Sequence, residues 1–188
     1  MTESASLTGP ANKAANQLLT ILRLFTQRMI LGRTMAKIAG AFKKTYLKTG
    51  KMGFSLLEGM DFQEDYPFNE LCKGMVMKKI EEDTLHLLIP VGNRNVTKLS
   101  NLADGYQLQA ILLFGDPSKE NGLRIDVEPS RWYSFKEEEG NIDCSFSLVL
   151  PPKNRPWMVL LYVVCSFNVK AQPGPQYRRM KVVKVGSF

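Results

Sequence analysis

The chain has 188 residues, of which 44% are hydrophobic and 23% charged, and its formal net charge is +7. These values are typical of one globular domain of roughly 130 residues with an appendage. Three distant cysteines (Cys72, Cys144 and Cys165) and a single histidine disfavour a histidine-based zinc site and favour reduced, buried thiols in an intracellular compartment.

The charge is unevenly spread along the chain. Residues 1–53 hold nine Lys/Arg and one acid, residues 54–169 hold eleven and seventeen, and residues 170–188 hold five and none. A mildly acidic body with two basic ends favours an electrostatic role for the ends, toward phosphates, anionic lipid or the body of a second copy. The alternative is that the ends are solubilising tails.

The first predicted elements are a disordered arm over residues 1–11 and a basic helical region over residues 12–53. Asn12 or Asn16 is a candidate cap for a helix that continues to Leu31. Its apolar face is too wide for one stripe, which predicts burial against its own body or against another copy. We assign self-association to the apolar residues that recur at helical spacing, Leu18, Leu22, Phe25 and Met29.

Residues 33–48 form the strongest single pattern, a basic amphipathic helix without an acid. At about 100° per residue one side carries Arg33, Lys37, Lys44 and Lys48, and the other carries Met35, Ile38, Phe42 and Tyr46. Such a helix binds an anionic surface or packs on its own body with the charges outward. We predict anionic membrane or nucleic-acid binding by the cations of this helix, including Lys43. Gly40 inside it hints at close packing or at ordering on contact.

Residues 54–73 are predicted to be a linker packed on the body, and residues 74–188 a β-rich domain. An acidic turn at Glu81–Asp83 suggests a hairpin, and alternating strands follow near residues 107–114, 123–127, 142–150 and 180–185. Residues 158–169 are apolar on both faces, as in a central strand. The predicted fold class is α+β, with an N-terminal helical region followed by a mainly antiparallel β-sandwich or barrel.

Residues suited to catalysis do not form a recognisable motif. Asp126, Glu128 and Asp143 are paired carboxylates on strands, but a solvated strand face explains them as well. His86 lies between two leucines and is interpreted as structural. The chain has no phosphate-binding loop, dinucleotide fingerprint or zincin motif. We therefore expect no enzyme activity, catalytic residue, metal, cofactor or small-molecule substrate.

Two further segments carry residues that bind nucleic acids in other proteins. Trp132 begins an aromatic run beside Arg131, which indicates base stacking or the edge of a core. Near the C-terminus Arg178, Arg179 and Lys181 favour phosphate binding, and the alternative is an edge strand guarded by charge.

The layout as a whole resembles the matrix proteins of non-segmented negative-strand RNA viruses, the rhabdovirus-like ones in particular. The nearest similarities are the strand–turn–strand over residues 111–129 and the strand over residues 142–150. The chain lacks PPxY and P[ST]AP motifs, and its N-terminal helical region is longer than the usual lysine-rich arm. The resemblance implies a non-enzymatic virion protein that self-associates and bridges anionic membrane and ribonucleoprotein.

An alternative function is an RNA-binding, capsid-type or movement-type protein whose two basic segments bind nucleic acid. No signal peptide is visible in the polar N-terminus, and the apolar run 157–169 is shorter than the roughly 20 residues that span a bilayer. The expected location is the host cytoplasm and the virion, peripheral to membrane, neither secreted nor transmembrane.

Overall fold

Alternating apolar residues build two antiparallel sheets. The structure, a computed structural model, describes residues 6–92, 95–99, 103–136, 142–167 and 174–186. Its strands are β1 (Met77–Glu81), β2 (Thr84–Val91), β3 (Ala103–Gly115), β4 (Leu123–Pro129), β5 (Tyr133–Ser134), β6 (Ile142–Val149), β7 (Trp157–Phe167) and β8 (Arg178–Gly186). The small sheet has the order β1-β2-β6, and the large sheet has the order β4-β3-β7-β8, with β5 paired to β3.

The helices precede the strands. They are α1 (Thr8–Ile21), α2 (Arg23–Thr26), α3 (Thr34–Thr49) and the one-turn α4 (Phe68–Leu71), and a 3-10 turn at Pro175–Tyr177 leads into β8. The predicted α+β class with N-terminal helices and antiparallel sheets is therefore confirmed. The hairpin at Glu81–Asp83 and the basic helix are also confirmed.

The large sheet is buried on both faces, which produces three layers. In β7, Val159, Leu161 and Val163 face the small sheet, whereas Met158 and Leu160 face the helices. The small sheet supplies residues such as Leu87 and Phe146 to the first of these cores, and α1 and α3 supply residues such as Leu18 and Phe42 to the second. The two-sided strand predicted for residues 158–169 is thus confirmed as far as Phe167, and residues 168–169 lie outside the described residues.

The first helix differs from its prediction at both ends. Residues 1–5 lie outside the described residues, but α1 begins at Thr8, so the predicted disordered arm is wrong for residues 8–11. Ala11, Ala14 and Ala15 are buried, and their small side chains allow α1 to pack closely on its neighbours. The helix also does not continue to Leu31, because it ends at Ile21 and the short α2 follows Leu22.

The segment 54–73 packs on the body, as predicted, and covers a sheet edge. The Gly59 and Phe62 N–H groups donate to the Val182 and Met180 carbonyls, and the Val182 N–H donates to the Met60 carbonyl. These bonds satisfy backbone groups that an exposed β8 edge would present to other chains. A one-turn helix, α4, forms within this segment.

Gly40 lies in the middle of α3 without a close neighbour. A β-carbon at this position would meet nothing within 4 Å, so the predicted close packing is wrong. Gly50, in contrast, ends the helix with a left-handed φ of 72°, and its N–H donates to the Tyr46 carbonyl at 2.7 Å.

We therefore expect Gly40→Ala to raise the free energy of unfolding by about 0.5–1 kcal/mol, because alanine fits the space and restricts the unfolded chain. Gly50→Ala is the matched control and should lower it by about 1 kcal/mol, because alanine disfavours the left-handed backbone. Urea denaturation followed by circular dichroism measures both changes. A loss of stability in Gly40→Ala would contradict this account of the helix.

Candidate anionic-surface binding site

Helix α3 presents its basic face to solvent because its apolar face is held on the large sheet. Ile38 and Phe42 are fully buried, and Met35 and Tyr46 pack against the same core. The buried Thr34 hydroxyl donates to the Phe62 carbonyl at 2.6 Å and fixes the start of the helix. The rotation of the helix is therefore set by packing, and the division of faces read from the sequence is confirmed.

The predicted cations of α3 differ in their partners. Arg33, Lys44 and Lys48 are exposed. Lys37 forms an ion pair with Glu64 at 2.8 Å, and the Lys43 ammonium donates to the Thr8 hydroxyl at 3.2 Å. Lys37 keeps half of its side chain exposed, so the outer face of α3 remains strongly positive.

The connection between α1 and α3 combines exposed cations with exposed apolar side chains. We call residues 23–33 the basic–apolar loop. Its exposed cations are Arg23, Arg28 and Arg33. In the same loop Leu24 is 77% exposed and Ile30 is 51% exposed. Large apolar side chains that project beside arginines are typical of surfaces that meet lipid or another protein.

The loop is anchored on the body, so these side chains project from a fixed frame. The Phe25 ring packs edge-on against the Tyr162 ring with centroids 5.5 Å apart. The Ile30 N–H donates to the Gln63 amide oxygen at 2.9 Å. The Gln63 amide nitrogen in turn donates to the Pro175 and Arg178 carbonyls, which ties the loop to the entry of β8.

The residues assigned to self-association are instead part of the protein's own core. Leu18 and Leu22 are 0% exposed, and Phe25 and Met29 are partly buried against the same core. These four residues are therefore wrong as a surface for a second copy, because the two-sided large sheet needs a helical cover and α1 supplies it. The apolar residues that do reach the surface, Leu24 and Ile30, lie beside them in the sequence.

Arg179 is wrong as an anion-binding residue. Its side chain is 3% exposed, and its guanidinium donates to the Pro67 and Gln176 carbonyls at 2.7 and 3.1 Å and contacts Glu70 at 3.0 Å. The same group lies over the Tyr66 ring at 5.6 Å. Arg179 thus fastens the segment before α4 to β8, and its charge is not available to an external anion.

The neighbours of Arg179 in β8 have different surroundings. Lys181 is 3.9 Å from Asp61 and is about one-fifth exposed, which weakens its predicted role in anion binding. Arg178 pairs with Val164 across the strands and points to the helical layer, the side opposite to that of Arg179. The predicted cluster Arg178, Arg179 and Lys181 is therefore not a single site.

A second cationic surface was not identified from the sequence. A cleft of about 650 Å³ lies at the C-terminal end of α3, beside the turn that joins β3 and β4. The cations that line it come from distant parts of the chain: Lys51, Lys119, Arg124 and Arg155. Asp116, 3.8 Å from Lys119, lies in the same cleft and reduces its charge. The end of α3, the β3–β4 turn and residues 154–156 together create this cleft, so no local sequence motif indicates it.

The carboxylates considered for catalysis do not form a common cleft in the part of the chain that is described. Glu128 accepts a hydrogen bond from the Ser147 N–H at 3.1 Å and covers the free edge of β6, whereas Asp126 and Asp143 are exposed on separate strands. Over the described residues, no three His, Cys, Asp or Glu side chains are grouped to hold a metal ion.

The single histidine, the aromatic run and the thiols have structural surroundings. His86 lies on the outer face of β2, 3.0 Å from the Ser147 hydroxyl. Tyr133 and Phe135 are buried against Tyr106, and Trp132 is the exposed ring of the run, at 52%.

Burial raises the pKa of Cys72 to about 11 and of Cys165 to about 12, and it also raises the pKa of Cys144. The buried thiols are therefore protonated at neutral pH.

No protein-family model, curated protein or solved structure matches the chain. Among the helices of the described ranges, none has both the length and the apolar character required to cross a bilayer.

We expect Arg179→Ala to lower the free energy of unfolding by about 2–4 kcal/mol, because it leaves two backbone carbonyls without their donor. Glu70→Ala should cost less than about 1 kcal/mol, since Glu70 is mostly exposed. The exposed Arg155→Ala is the matched control. Urea titration measures all three, and equal losses in Arg179→Ala and Arg155→Ala would contradict the structural role of Arg179.

Proposed function

We propose that this chain is a non-enzymatic, matrix-like structural protein that binds an anionic membrane surface through its helical layer. The observation that carries the proposal is the surface of residues 6–57, which contain nine Lys/Arg and no acid. Eight of these cations are exposed, and Leu24 and Ile30 project among them. The proposed link to ribonucleoprotein and the assembly of several copies follow from the resemblance of layout to viral matrix proteins.

Energetics support reversible membrane binding by this surface. Each basic residue near an anionic bilayer contributes about 1 kcal/mol, and this contribution is lost at high salt. Burying an exposed Leu or Ile side chain in the acyl boundary adds about 1.5–3 kcal/mol. Three arginines and two apolar side chains in the basic–apolar loop therefore suffice for binding that is stable at vesicle concentrations but reversible.

Lipid is favoured over nucleic acid by the kind of side chains that project. A phosphate backbone offers nothing to Leu24 and Ile30, whereas the acyl boundary of a bilayer does. Nonspecific single-strand binding uses exposed aromatic side chains for base stacking. The aromatic residues of the helical layer (Phe25, Phe42 and Tyr46) are all buried or partly buried. RNA binding through the same cations is therefore the second candidate.

Vesicle cosedimentation tests the proposal. The protein should bind vesicles of phosphatidylcholine that contain about 30 mol% phosphatidylserine, and it should not bind vesicles of phosphatidylcholine alone. Leu24→Ser with Ile30→Ser should weaken binding by about tenfold or more, because two apolar side chains no longer enter the bilayer. Lys44→Glu with Lys48→Glu should also weaken it at least tenfold.

Matched controls lie on the opposite side of the molecule. Met75 and Val149 are as exposed as Leu24 and Ile30, so Met75→Ser with Val149→Ser removes similar apolar area from another surface. Lys73→Glu with Lys79→Glu makes the same charge change beside the small sheet, where both lysines are exposed. If either control pair weakens vesicle binding as much as the loop or α3 pair, the proposed surface is wrong. RNA binding that falls linearly with log salt and ignores Leu24 and Ile30 would favour the second candidate.

The proposal includes self-association, which we assign to contacts between charged surfaces instead of apolar residues. The helical layer is strongly basic, whereas residues 54–169 carry a net charge of −6 from eleven Lys/Arg and seventeen acids. Contact between the basic layer of one copy and the acidic body of the next would form head-to-tail assemblies. Such contacts between exposed charges are screened by salt.

Sedimentation velocity should therefore detect oligomers at low ionic strength that dissociate at about 0.5 M NaCl. Lys44→Glu with Lys48→Glu should reduce them at low salt. Oligomers that persist unchanged at high salt would indicate an apolar contact instead and would contradict this mode of assembly.

A further inference from the structure

Two polar side chains of the large sheet face the helices near the basic–apolar loop. They are Tyr162 of β7 and Arg178 of β8. The Phe25 ring packs on the Tyr162 ring with centroids 5.5 Å apart, and Arg28 follows three residues later on the exposed part of the same loop. Burial raises the pKa of Tyr162, and the positive charges of Arg178 and Arg28 oppose that rise. One phenol hydroxyl and two guanidinium groups thus come from three separate elements of this region.

Neither Arg28 nor Arg178 forms an ion pair with a carboxylate in the described ranges of the chain. The Nε atom of Arg178 is buried and has no hydrogen-bond acceptor. Arg178 differs in this from Arg179, whose guanidinium has two carbonyls and a carboxylate as partners. A buried N–H without an acceptor is destabilising and rare in proteins, so the Nε atom of Arg178 is suited to an acceptor that a ligand supplies.

We propose that Arg28, Tyr162 and Arg178 form a binding site for a phosphomonoester, the headgroup of an anionic lipid being its source. The inference rests on the proposed function and deepens it, because it names the lipid chemistry that the membrane-facing layer selects. Guanidinium groups bind phosphate oxygens through paired, charge-assisted hydrogen bonds, and a phenol hydroxyl donates a further one.

The position of the site supports a lipid headgroup as the source. Leu24 is exposed next to Phe25, whose ring packs on Tyr162, so insertion of Leu24 would bring this part of the loop to the headgroups. An inserted apolar face lies about 5–10 Å deep at the headgroup and acyl boundary. A phosphomonoester headgroup also carries more charge than the phosphodiester of phosphatidylserine, since its second pKa is near neutrality.

The test compares two vesicle types with equal surface charge, one containing phosphatidic acid and the other phosphatidylserine. The unaltered protein should bind the first about tenfold more tightly. Arg28→Gln and Arg178→Gln should abolish this preference, and Tyr162→Phe should reduce it while keeping the ring that packs on Phe25. The matched controls Arg23→Gln and Arg33→Gln should weaken binding to both vesicle types by about fivefold and leave the ratio unchanged.

Each outcome decides between the two proposals. If the unaltered protein binds neither vesicle type, the proposed function fails and the site is then judged by thermal shift with inorganic phosphate and glycerol 3-phosphate. Stabilisation by these soluble anions that is lost in Arg178→Gln supports the site with free phosphate as the source. A further outcome is that the protein binds vesicles while Arg178→Gln and Arg23→Gln show the same ratio of affinities for phosphatidic acid and phosphatidylserine vesicles. In that case the proposed site is wrong, and the proposed membrane binding is still supported.

Arg28→Gln keeps this test independent of folding, because Arg28 is exposed and its replacement does not disturb the core. Circular dichroism melting of each variant identifies those that remain folded. Loss of the preference in Arg28→Gln with an unchanged melting temperature supports the site. An unchanged preference in Arg28→Gln and in a folded Tyr162→Phe overturns it.

Discussion

The burial of the large sheet on both faces is the constraint on which the rest of this structure depends. Strand β7 carries apolar side chains on either side, and an antiparallel sheet of this kind is stable only if both faces are covered. The small sheet covers one face. The other needs an apolar cover, which α1 and α3 provide with residues such as Leu18, Ile38 and Phe42. The helical region that looks like an appendage in the sequence is therefore part of the domain.

This constraint also explains why the basic surface has its present form. Packing fixes the rotation of α3, so Lys37, Lys44 and Lys48 are turned outward, and a stretch without acids becomes a largely positive surface. The connection between α1 and α3 lies at the end of the helical layer, where fewer apolar side chains are buried against the sheet. Leu24 and Ile30 therefore project into solvent, while Phe25, between them in the sequence, packs on Tyr162. An apolar run can thus hold core residues and surface residues side by side.

The sequence predicted the fold well where local patterns decide it. The period-2 strands, the two-sided β7 and the amphipathic α3 all follow from spacing and residue type. The self-association residues were wrong because a wide apolar face shows only that burial occurs, and Leu18 is buried by its own sheet. The cleft at Lys51, Lys119 and Arg124 and the grouping of Arg28, Tyr162 and Arg178 depend on contacts between distant segments, which no spacing rule contains.

Arg178 and Arg179 show how far alternation along one strand determines function. In the sequence they form a single basic pair, but successive side chains of a strand face opposite sides of the sheet. Arg179 therefore meets the segment before α4, where carbonyls and Glu70 complete its hydrogen bonds. Arg178 faces the helical layer, where its buried Nε atom has no acceptor. The first arginine stabilises the fold through internal partners, and the second has the chemistry to require an external one. Because the sheet places Arg178 on the side of the basic–apolar loop, that external partner and the anionic surface would be met together.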